Sequence, residues 1–420
     1  MTAPRTLGID FGTSNSAAGV AVAGRPWLVE MEPGERTLPT AVFFAESPRA
    51  MRIGHSATRA LIEGEEGRFM RALKSLLGTP LLHEERRING ERLSFAAIVA
   101  RFLAELKSRT EAATHMEFSH ALSGRPVHFH SADAARDARA EADLRACYLE
   151  AGFQDVAFMY EPEAALKAAA PAPGTGASLG LVADIGGGTS DFTAFEQDAE
   201  GRFRILASHG LRLGGTDFDR QLSISHVMPL LGRGSRIANT FGGGSLPAPN
   251  RIFNDLATWQ MIPFLYSPDS RRAARDLAAH AEEPSRLARL VTVLEQELGH
   301  DLAFAVERGK IAANRPDGNA GAIALGLLER GLAVPLPGAA LRENLAEQTA
   351  AIRACAAETL KLAGISADQV GRIVMAGGSS LLLPLQAEMQ ELCASARIET
   401  ENAMTAVADG LALSAGAAFA

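Results

Sequence analysis

The sequence predicts an α/β protein in which one strand–turn–strand motif occurs twice. Three observations support this prediction. Strand and helix patterns alternate along the whole chain. A pattern of strand, aspartate, any residue, glycine and two small residues occurs at residues 9–14 (IDFGTS) and again at 183–189 (ADIGGGT). Each copy is followed by a second strand, so the repeated unit is a β-hairpin with an aspartate at the end of its first strand, just before the turn.

The composition narrows the class of protein. The chain has 420 residues, of which 47% are hydrophobic and 21% charged, and this is enough for large cores and for more than one domain. The net charge of −8 argues against a nucleic-acid partner. We find no apolar run of membrane-spanning length and no leader-like N-terminus, so we expect a cytoplasmic protein without a membrane partner. Cys147, Cys355 and Cys393 are expected to be buried, reduced thiols.

The N-terminal half is predicted to contain two hairpin strands followed by two strand–helix units. The strands are expected at residues 6–9, 16–22, 121–124 and 156–160. The helix after the third strand is expected to begin near Ser131, a candidate N-cap, and to stop at Gly152. Pro162 opens the next helix at the position that proline favours. The charged stretch 32–90 is expected to be an insertion.

The C-terminal half is predicted to repeat this organisation. Its strands are expected at residues 179–183, 191–195 and 372–375. An amphipathic helical pattern covers 284–314, and a second helix at 345–363 stops at Gly364. Pro384 opens a further helix. The stretch 232–249, which contains Gly242, Gly243 and Gly244, is expected to be a flexible loop.

The repeated hairpin has the chemistry to hold phosphates together with a cation. Glycines let backbone N–H groups approach an anion closely, and the hydroxyls of Thr13, Ser14 and Thr189 add donors. Asp10 and Asp184 precede the turns of the two hairpins, and carboxylates and phosphates are both negatively charged. The two kinds of group can lie close together if a hydrated Mg²⁺ is held between them. The alternative is a pair of ordinary Asp–Gly turns. Walker and dinucleotide-binding motifs are excluded, because both require a strand, a loop and then a helix.

Five ordered segments and one further signature resemble a known family. The five are the two hairpins, residues 160–165 (YEPEAA), 371–379 (GRIVMAGGS) and 406–411 (AVADGL), and the signature is 213–219 (LGGTDFD). The chain resembles the actin/sugar-kinase/DnaK-type ATPase superfamily, and most of all the nucleotide-binding domain of the seventy-kilodalton heat-shock chaperones. Residues 123–129 (SGRPVHF) and 228–232 (MPLLG) look closer still to short YegD-like bacterial members.

The resemblance implies an actin-like ATPase fold with two lobes, each with a duplicated mixed-sheet core, and a nucleotide cleft between them. Lobe I is expected at 1–190 with an insertion subdomain at about 32–116. Lobe II is expected at 191–420 with an insertion subdomain at about 230–310.

The resemblance also implies a set of residues for ATP or ADP with Mg²⁺. Asp10 and Asp184 would hold Mg²⁺ through water, and Lys74, Glu161 and Asp191 match the family's catalytic groups. The residues expected to bind the nucleotide are Gly12, Thr13, Ser14, Asn15, Gly186, Gly187, Gly188, Thr189, Glu307, Lys310, Asn314, Gly377, Gly378 and Ser379.

Each charged residue of this set also has a simpler interpretation. Without the family context, Lys74 is a surface lysine on a helix, and Glu161 is a carboxylate favoured at a helix start. Asp191 is then a hairpin residue, and Glu307 with Lys310 is an i,i+3 surface ion pair.

The chain also departs from the family pattern at several positions. Ile311 and Leu381 replace arginines and Met404 replaces an aspartate, which puts base affinity and selectivity in doubt because arginine stacking is lost.

The function expected from these observations is that of a chaperone-like switch that binds Mg-ATP and hydrolyses it slowly. No linker or peptide-binding segment follows the last motif, so we expect the switch to lack a peptide-binding domain and to act on an unidentified client or co-chaperone protein. The alternatives are a small-molecule kinase of the same superfamily, an actin-like filament-forming protein, and a nucleotide-binding scaffold without turnover.

Overall fold

A computed structural model describes residues 5–130, 133–169, 178–199, 202–239, 244–315, 321–400 and 402–419. The strands are β1 (Thr6–Phe11), β2 (Asn15–Val22), β3 (Arg25–Leu28), β4 (Leu38–Pro39), β5 (Ala41–Ala45), β6 (Ala50–Ile53), β7 (Gly67–Arg71), β8 (Glu85–Ile88), β9 (Glu91–Ser94), β10 (His120–Arg125), β11 (Asp155–Tyr160), β12 (Ser178–Ile185), β13 (Ser190–Gln197), β14 (Phe203–Leu211), β15 (Arg236–Ala238), β16 (Ser245–Pro247), β17 (Gly321–Ala324), β18 (Ala333–Leu336), β19 (Val370–Ala376) and β20 (Arg397–Glu399). The helices are α1 (His55–Ile62), α2 (Phe95–Thr114), α3 (Ala134–Glu150), α4 (Glu161–Ala168), α5 (Gly215–Leu222), α6 (Asn250–Leu256), α7 (Pro268–Ala279), α8 (Pro284–Glu295), α9 (Gly299–Ala313), α10 (Gly338–Ala363), α11 (Leu383–Leu392) and α12 (Ala406–Ala415).

Two mixed sheets with the same topology form the centre of the fold. The first has the order β11-β10-β1-β2-β3, with β4 also pairing to β2, and the second has the order β20-β19-β12-β13-β14. In each sheet the hairpin strands are antiparallel, and the first of them continues into a parallel pair on its other side. The duplication predicted from the two hairpin sequences is therefore a duplication of whole sheets.

Two short helices, α4 and α12, pack closely against each other. A Cβ on Gly410 of α12 would lie 1.7 Å from the carbonyl oxygen of Ala164 in α4, so only glycine permits this approach. On the first sheet, a Cβ on Gly8 of β1 would lie 2.7 Å from the backbone of Leu411 in α12. These contacts fix α4, whose first residue is Glu161, relative to the hairpin that contains Asp10.

Several predicted element boundaries differ from the structure. Helix α3 begins at Ala134, and Asp133 is its N-cap, with its carboxylate accepting a hydrogen bond from the Arg136 N–H. Ser131, the predicted cap, lies outside the described residues. The pattern at 284–314 forms two helices, α8 and α9, because Glu297 between them adopts a left-handed conformation with φ of 58°. Helix α10 begins at Gly338, seven residues before the predicted start of 345.

The predicted helix ends at Gly152 and Gly364 agree with the structure, whereas the predicted loop at 232–249 does not. Gly152 and Gly364 both have positive φ and follow a helix end, as predicted. The stretch 232–249, predicted to be a flexible loop, forms the short hairpin β15–β16 in its described part, while Gly242 and Gly243 lie outside the described residues. The stretch 32–90 contains the three-stranded sheet β6-β5-β7 and helix α1.

The chain forms two compact units. The first comprises Met1–Arg212, Ile352–Leu381 and Glu388–Ala420, and the second comprises Leu213–Ala351 and Leu382–Ala387. Both central sheets lie in the first unit. The predicted lobe boundary after residue 190 falls at the start of β13, which pairs with β12 along its length, and the division into lobes stays a prediction.

Two expectations from composition concern cysteines and membranes. Cys147, Cys355 and Cys393 are all buried and form no disulfide, as predicted. Within the described ranges, no helix is both long enough and apolar enough to cross a membrane.

Candidate nucleotide-binding site

The two hairpins share the same hydrogen bond across their turns. In the first, the Gly12 N–H donates to the Asn15 carbonyl oxygen over 3.1 Å, and in the second the Gly186 N–H donates to the Thr189 carbonyl oxygen over 2.9 Å. Asp10 faces Ala17 across the first hairpin, and Asp184 faces Asp191 across the second. Each aspartate therefore enters a tight turn of small residues from the end of a buried strand.

Three glycine-containing turns meet around Asp184. A Cβ on Gly187 would lie 1.9 Å from the Ser14 Oγ, so the two hairpins touch at this point. A Cβ on Gly377 would lie 2.7 Å from the Asp184 Oδ1, and Gly377 has a φ of 77° that favours glycine. The structure thus brings together the sequence-predicted residues of both hairpins and of the 377–379 turn.

Lys74 is buried beside these turns. It lies in a four-residue 3₁₀ turn, Leu73–Leu76, and its side chain is only 8% exposed. The Lys74 Nζ donates to the Glu161 Oε1 over 2.6 Å, and Glu161 occupies the first turn of α4. The interpretation of Lys74 as a surface lysine on a helix is therefore wrong, because the residue is in a buried ion pair outside any α-helix.

The electrostatics of the cluster are dominated by carboxylates. Burial raises the pKa of Asp10 to about 7 and that of Asp191 to about 7, and in both cases the Glu161 carboxylate adds to the effect. Burial also raises the pKa of Asp184 well above its ordinary value. Burial by itself would lower the pKa of Lys74, but the carboxylates of Glu161 and Asp10 outweigh it and raise that pKa. Four carboxyl groups thus surround one lysine.

Glu307, Lys310 and Asn314, which are predicted to bind the nucleotide, lie in the second unit. Lys310 of α9 is buried, and its Nζ lies 2.8 Å from the Asp219 Oδ1. The alternative interpretation of Glu307 and Lys310 as a surface ion pair is therefore wrong, since Lys310 is buried and pairs with Asp219. The Asn314 Oδ1 accepts a hydrogen bond from the Leu383 N–H over 2.7 Å, and Ile311 is 63% exposed.

A comparison with known proteins assigns the family. The family model described as "Hsp70 protein" matches residues 6–238, which is more than half of the chain. The chain belongs to the Hsp70 family. It is 32% identical over 223 residues to a protein from Endomicrobium trichonymphae described as "Chaperone protein DnaK", and this match covers 52% of the chain and 34% of that relative. The chain thus matches about a third of the length of this curated relative.

The Hsp70 match covers one part of the predicted site and leaves another outside. Both hairpins, Lys74 and Glu161 fall within residues 6–238, whereas Glu307, Lys310 and the turn at 377–379 do not. Together with the duplicated mixed sheets, the family assignment confirms the predicted α/β, actin-like ATPase fold. The closer similarity to YegD-like members stays a prediction.

Asp10 and Asp184 are suited to a hydrated Mg²⁺ that is bound together with nucleotide. Among the residues that the structure describes, no group of three or more His, Cys, Asp or Glu is arranged to hold a metal ion directly. Mg²⁺ usually keeps several waters and binds one or two carboxylates together with substrate phosphates. The half-buried carboxyl groups of Asp10 and Asp184 at the ends of β1 and β12 suit such a hydrated ion, and the pKa of each is raised first by burial and then by the Glu161 carboxylate.

Sequence reasoning missed the partner of Lys310 and the contacts behind Lys74. Asp219 is part of the segment 213–219, and the resemblance of this segment to the family assigns no role to this carboxylate. Its sequence signal was a second acidic residue two positions after Asp217 on a short helix. The residues behind Lys74, His130 and Asp143, had no sequence signal, because they reach the 3₁₀ turn only through the tertiary fold.

Proposed function

We propose that this chain binds ATP and ADP with Mg²⁺, hydrolyses ATP slowly, and uses the nucleotide state as a switch. The observation that carries the proposal is the buried Lys74–Glu161 ion pair beside two glycine hairpins, each with a half-buried aspartate at the end of its first strand. A pair of ordinary Asp–Gly turns would not need a buried lysine or a carboxylate excess at their contact point. The partner that responds to the switch would be a client or co-chaperone protein.

The proposed division of labour follows from position. Backbone N–H groups and hydroxyls of Thr13, Ser14 and Thr189 bind the phosphates, as glycine-rich turns do elsewhere. Asp10 and Asp184 hold Mg²⁺, which neutralises charge on the phosphates when it is bound.

The chemical step is assigned to the charged groups around the hairpins. Lys74 stabilises negative charge that develops during phosphoryl transfer, and Glu161 orients the attacking water. Asp191, whose pKa of about 7 lies near neutral pH, is suited to accept a proton from that water.

Slow turnover is part of the proposal for an electrostatic reason. The Lys74 charge is already engaged by Glu161 at 2.6 Å and lies in the field of Asp10. It must therefore divide its interaction between these carboxylates and a phosphate, which reduces the differential stabilisation of the transition state.

The proposal assigns the nucleoside side of the ligand to Glu307, Lys310, Asn314 and the turn of Gly377, Gly378 and Ser379. We expect weak discrimination between ATP and GTP, because Met404, whose Cε is 3.9 Å from a Cβ built on Gly378, offers apolar contact without a specific hydrogen bond.

A thermal-unfolding titration tests the binding part of this proposal. Mg-ATP and Mg-ADP should each raise the melting temperature, since a ligand that binds only the native state adds about 2.7 kcal/mol at roughly 100 times its Kd. Asp10→Asn should weaken the Mg²⁺ dependence of the shift. An unchanged melting temperature at millimolar nucleotide with Mg²⁺ would exclude the proposed site.

Product analysis tests the chemical part. Incubation with labelled ATP should release inorganic phosphate in single-turnover measurements. Transfer of label to a panel of sugars would instead indicate the small-molecule kinase, and ATP-dependent sedimentation would indicate the filament-forming protein.

A further inference from the structure

The 3₁₀ turn that contains Lys74 is too short to be stable without contacts from neighbouring elements. It is a single 3₁₀ turn of four residues, preceded by Ala72 with φ of 58° and followed by Leu77 and then by Gly78, which has a φ of 74°. Short 3₁₀ segments have poor hydrogen-bond geometry, and one turn of helix is unfavourable by itself. The position of the Lys74 side chain must therefore be set by neighbouring elements.

Helix α3 supplies one of these neighbours through Asp143. The Gly78 N–H donates to the Asp143 Oδ2 over 2.9 Å, and the Asp143 side chain is only 9% exposed. His83 Nε2 donates to the other carboxylate oxygen over 3.1 Å. A Cβ on Gly78 would lie 2.6 Å from the Arg136 carbonyl oxygen of α3, so the end of the Lys74 turn lies directly against the helix backbone.

The loop before α3 supplies a second contact through His130. The His130 Nε2–H donates to the Leu77 carbonyl oxygen over 2.8 Å. The backbone N–H of His130 in turn donates to the Asp137 Oδ1 of α3 over 3.1 Å, which ties the loop to the same helix. The carbonyl of Leu77 and the N–H of Gly78, which follow the Lys74 turn directly, are thus held by His130 and by Asp143 of α3.

We propose that Asp143 and His130 are positioning residues, which hold the 3₁₀ turn so that Lys74 reaches Glu161 and, with nucleotide bound, the phosphates. The inference rests on the proposed function of Lys74. Asp143 is an unfavourable residue inside a helix, and its buried carboxylate instead satisfies a backbone donor of another element. A displacement of about 1 Å at a reacting group costs on the order of 10²-fold in rate, so a loosened turn affects turnover before it affects binding.

The test compares Asp143→Ala with Asp143→Asn, which keeps an acceptor for the Gly78 N–H. Asp143→Ala should lower the single-turnover hydrolysis rate by about tenfold or more, while the nucleotide Kd changes by less than about threefold. Asp143→Asn should retain most of the rate. The matched control is Asp133→Ala, which removes the N-cap of the same helix without touching the Lys74 turn.

A double variant separates positioning from general stability. If Asp143 acts through Lys74, adding Asp143→Ala to Lys74→Ala should change the remaining rate by less than about twofold, because interacting residues are not additive. Full additivity of the two losses, or a wild-type rate in Asp143→Ala, overturns the proposal. If Asp143→Ala does not fold, His130→Phe removes the other contact and is combined with Lys74→Ala in the same way, with the same deciding outcomes.

Amide hydrogen exchange of the nucleotide-free protein provides a readout that needs no hydrolysis. The Gly78 amide should be protected in the wild type and should exchange at least about tenfold faster in Asp143→Ala, but not in Asp133→Ala. An unprotected Gly78 amide in the wild type overturns the positioning contact. Absence of turnover in a wild type with a protected Gly78 amide overturns the proposed function instead, so the two failures are distinguishable.

Discussion

The hairpins β1–β2 and β12–β13 share a backbone but not a charge distribution. Asp10 and Asp184 occupy the same register position, yet the residue that faces them is Ala17 in the first hairpin and Asp191 in the second. Ala17 is 1% exposed and packs in a cluster with Leu28, Ala408 and Ala412, two of which belong to helix α12. The second carboxylate thus occurs in hairpin β12–β13, whereas the equivalent position of β1–β2 packs against α12.

The largest change in stability is expected when the first hairpin is given the carboxylate that the second has at the equivalent position. Ala17→Asp places a carboxylate in the alanine-lined contact with α12 and directly across the hairpin from the Asp10 carboxyl group. An uncompensated buried charge costs on the order of 3–5 kcal/mol, so the variant should be strongly destabilised or unfolded at pH 8. Urea unfolding measures the change, with Ala17→Ser as the milder control. Near-wild-type stability of Ala17→Asp would contradict the packing of α12 on this hairpin.

The second prediction concerns the titration of Asp191, the carboxylate that faces Asp184 in the second hairpin. Asp191 has a pKa of about 7 in the folded protein, raised first by burial and then by Glu161, against an ordinary value of 3.8. The unfolded state therefore loses the proton more readily, and the Asp191 contribution to stability falls as pH rises from about 4 to about 7. Asp191→Asn lacks this loss, so the variant should gain stability relative to the wild type over that range. Since each unit of pKa difference corresponds to about 1.4 kcal/mol, the gain should reach a few kcal/mol.

Urea unfolding with EDTA and without nucleotide, at pH 5 and at pH 8, measures this difference. A pH-independent difference between wild type and Asp191→Asn would show that Asp191 titrates at its ordinary value. Asp198→Asn is a suitable control, because Asp198 lies beyond the end of the same hairpin in an exposed ion pair with Arg202.

The hairpins also show what could be predicted from the sequence. The repeat of aspartate, glycine and small residues is local, so it predicted both turns and their pairing strands. The charge of the site was harder to predict, because burial decides it. Lys74 has the local pattern of a surface residue and becomes buried only when its turn packs between α2, α3 and α4. The Lys310–Asp219 pair joins residues far apart in the chain, and neither residue by itself indicates the other.

The third prediction concerns Lys74, which lies among the carboxylates of the site. Lys74→Ala should reduce single-turnover hydrolysis by about 10²-fold, equivalent to about 2.7 kcal/mol, which is the scale of one preorganised charge contact. Nucleotide affinity should change much less, because the hairpin N–H groups remain. Lys167→Ala, which removes an exposed lysine from α4, is the matched control. Equal losses of rate and affinity would show that Lys74 holds the ground state rather than the transition state.

The smallest effect concerns the tightness of the two turns. A Cβ on Gly12 would lie 2.3 Å from the Asn15 carbonyl oxygen, whereas at the equivalent Gly186 it would lie 3.7 Å from that of Thr189. The first clash is with backbone and cannot be relieved by a side-chain rotation, while the second distance is an ordinary contact. Gly12→Ala should therefore cost about 1–2 kcal/mol of stability, toward the lower end of typical overpacking costs, and Gly186→Ala should be close to neutral. Chemical denaturation of both variants without nucleotide measures the difference, and Gly188→Ala, which meets no atom within 4 Å, sets the baseline for adding a methyl group to these turns. Equal costs at Gly12 and Gly186 would mean that the two hairpins relax to the same width, and the structural difference between them would then be limited to Ala17 and Asp191.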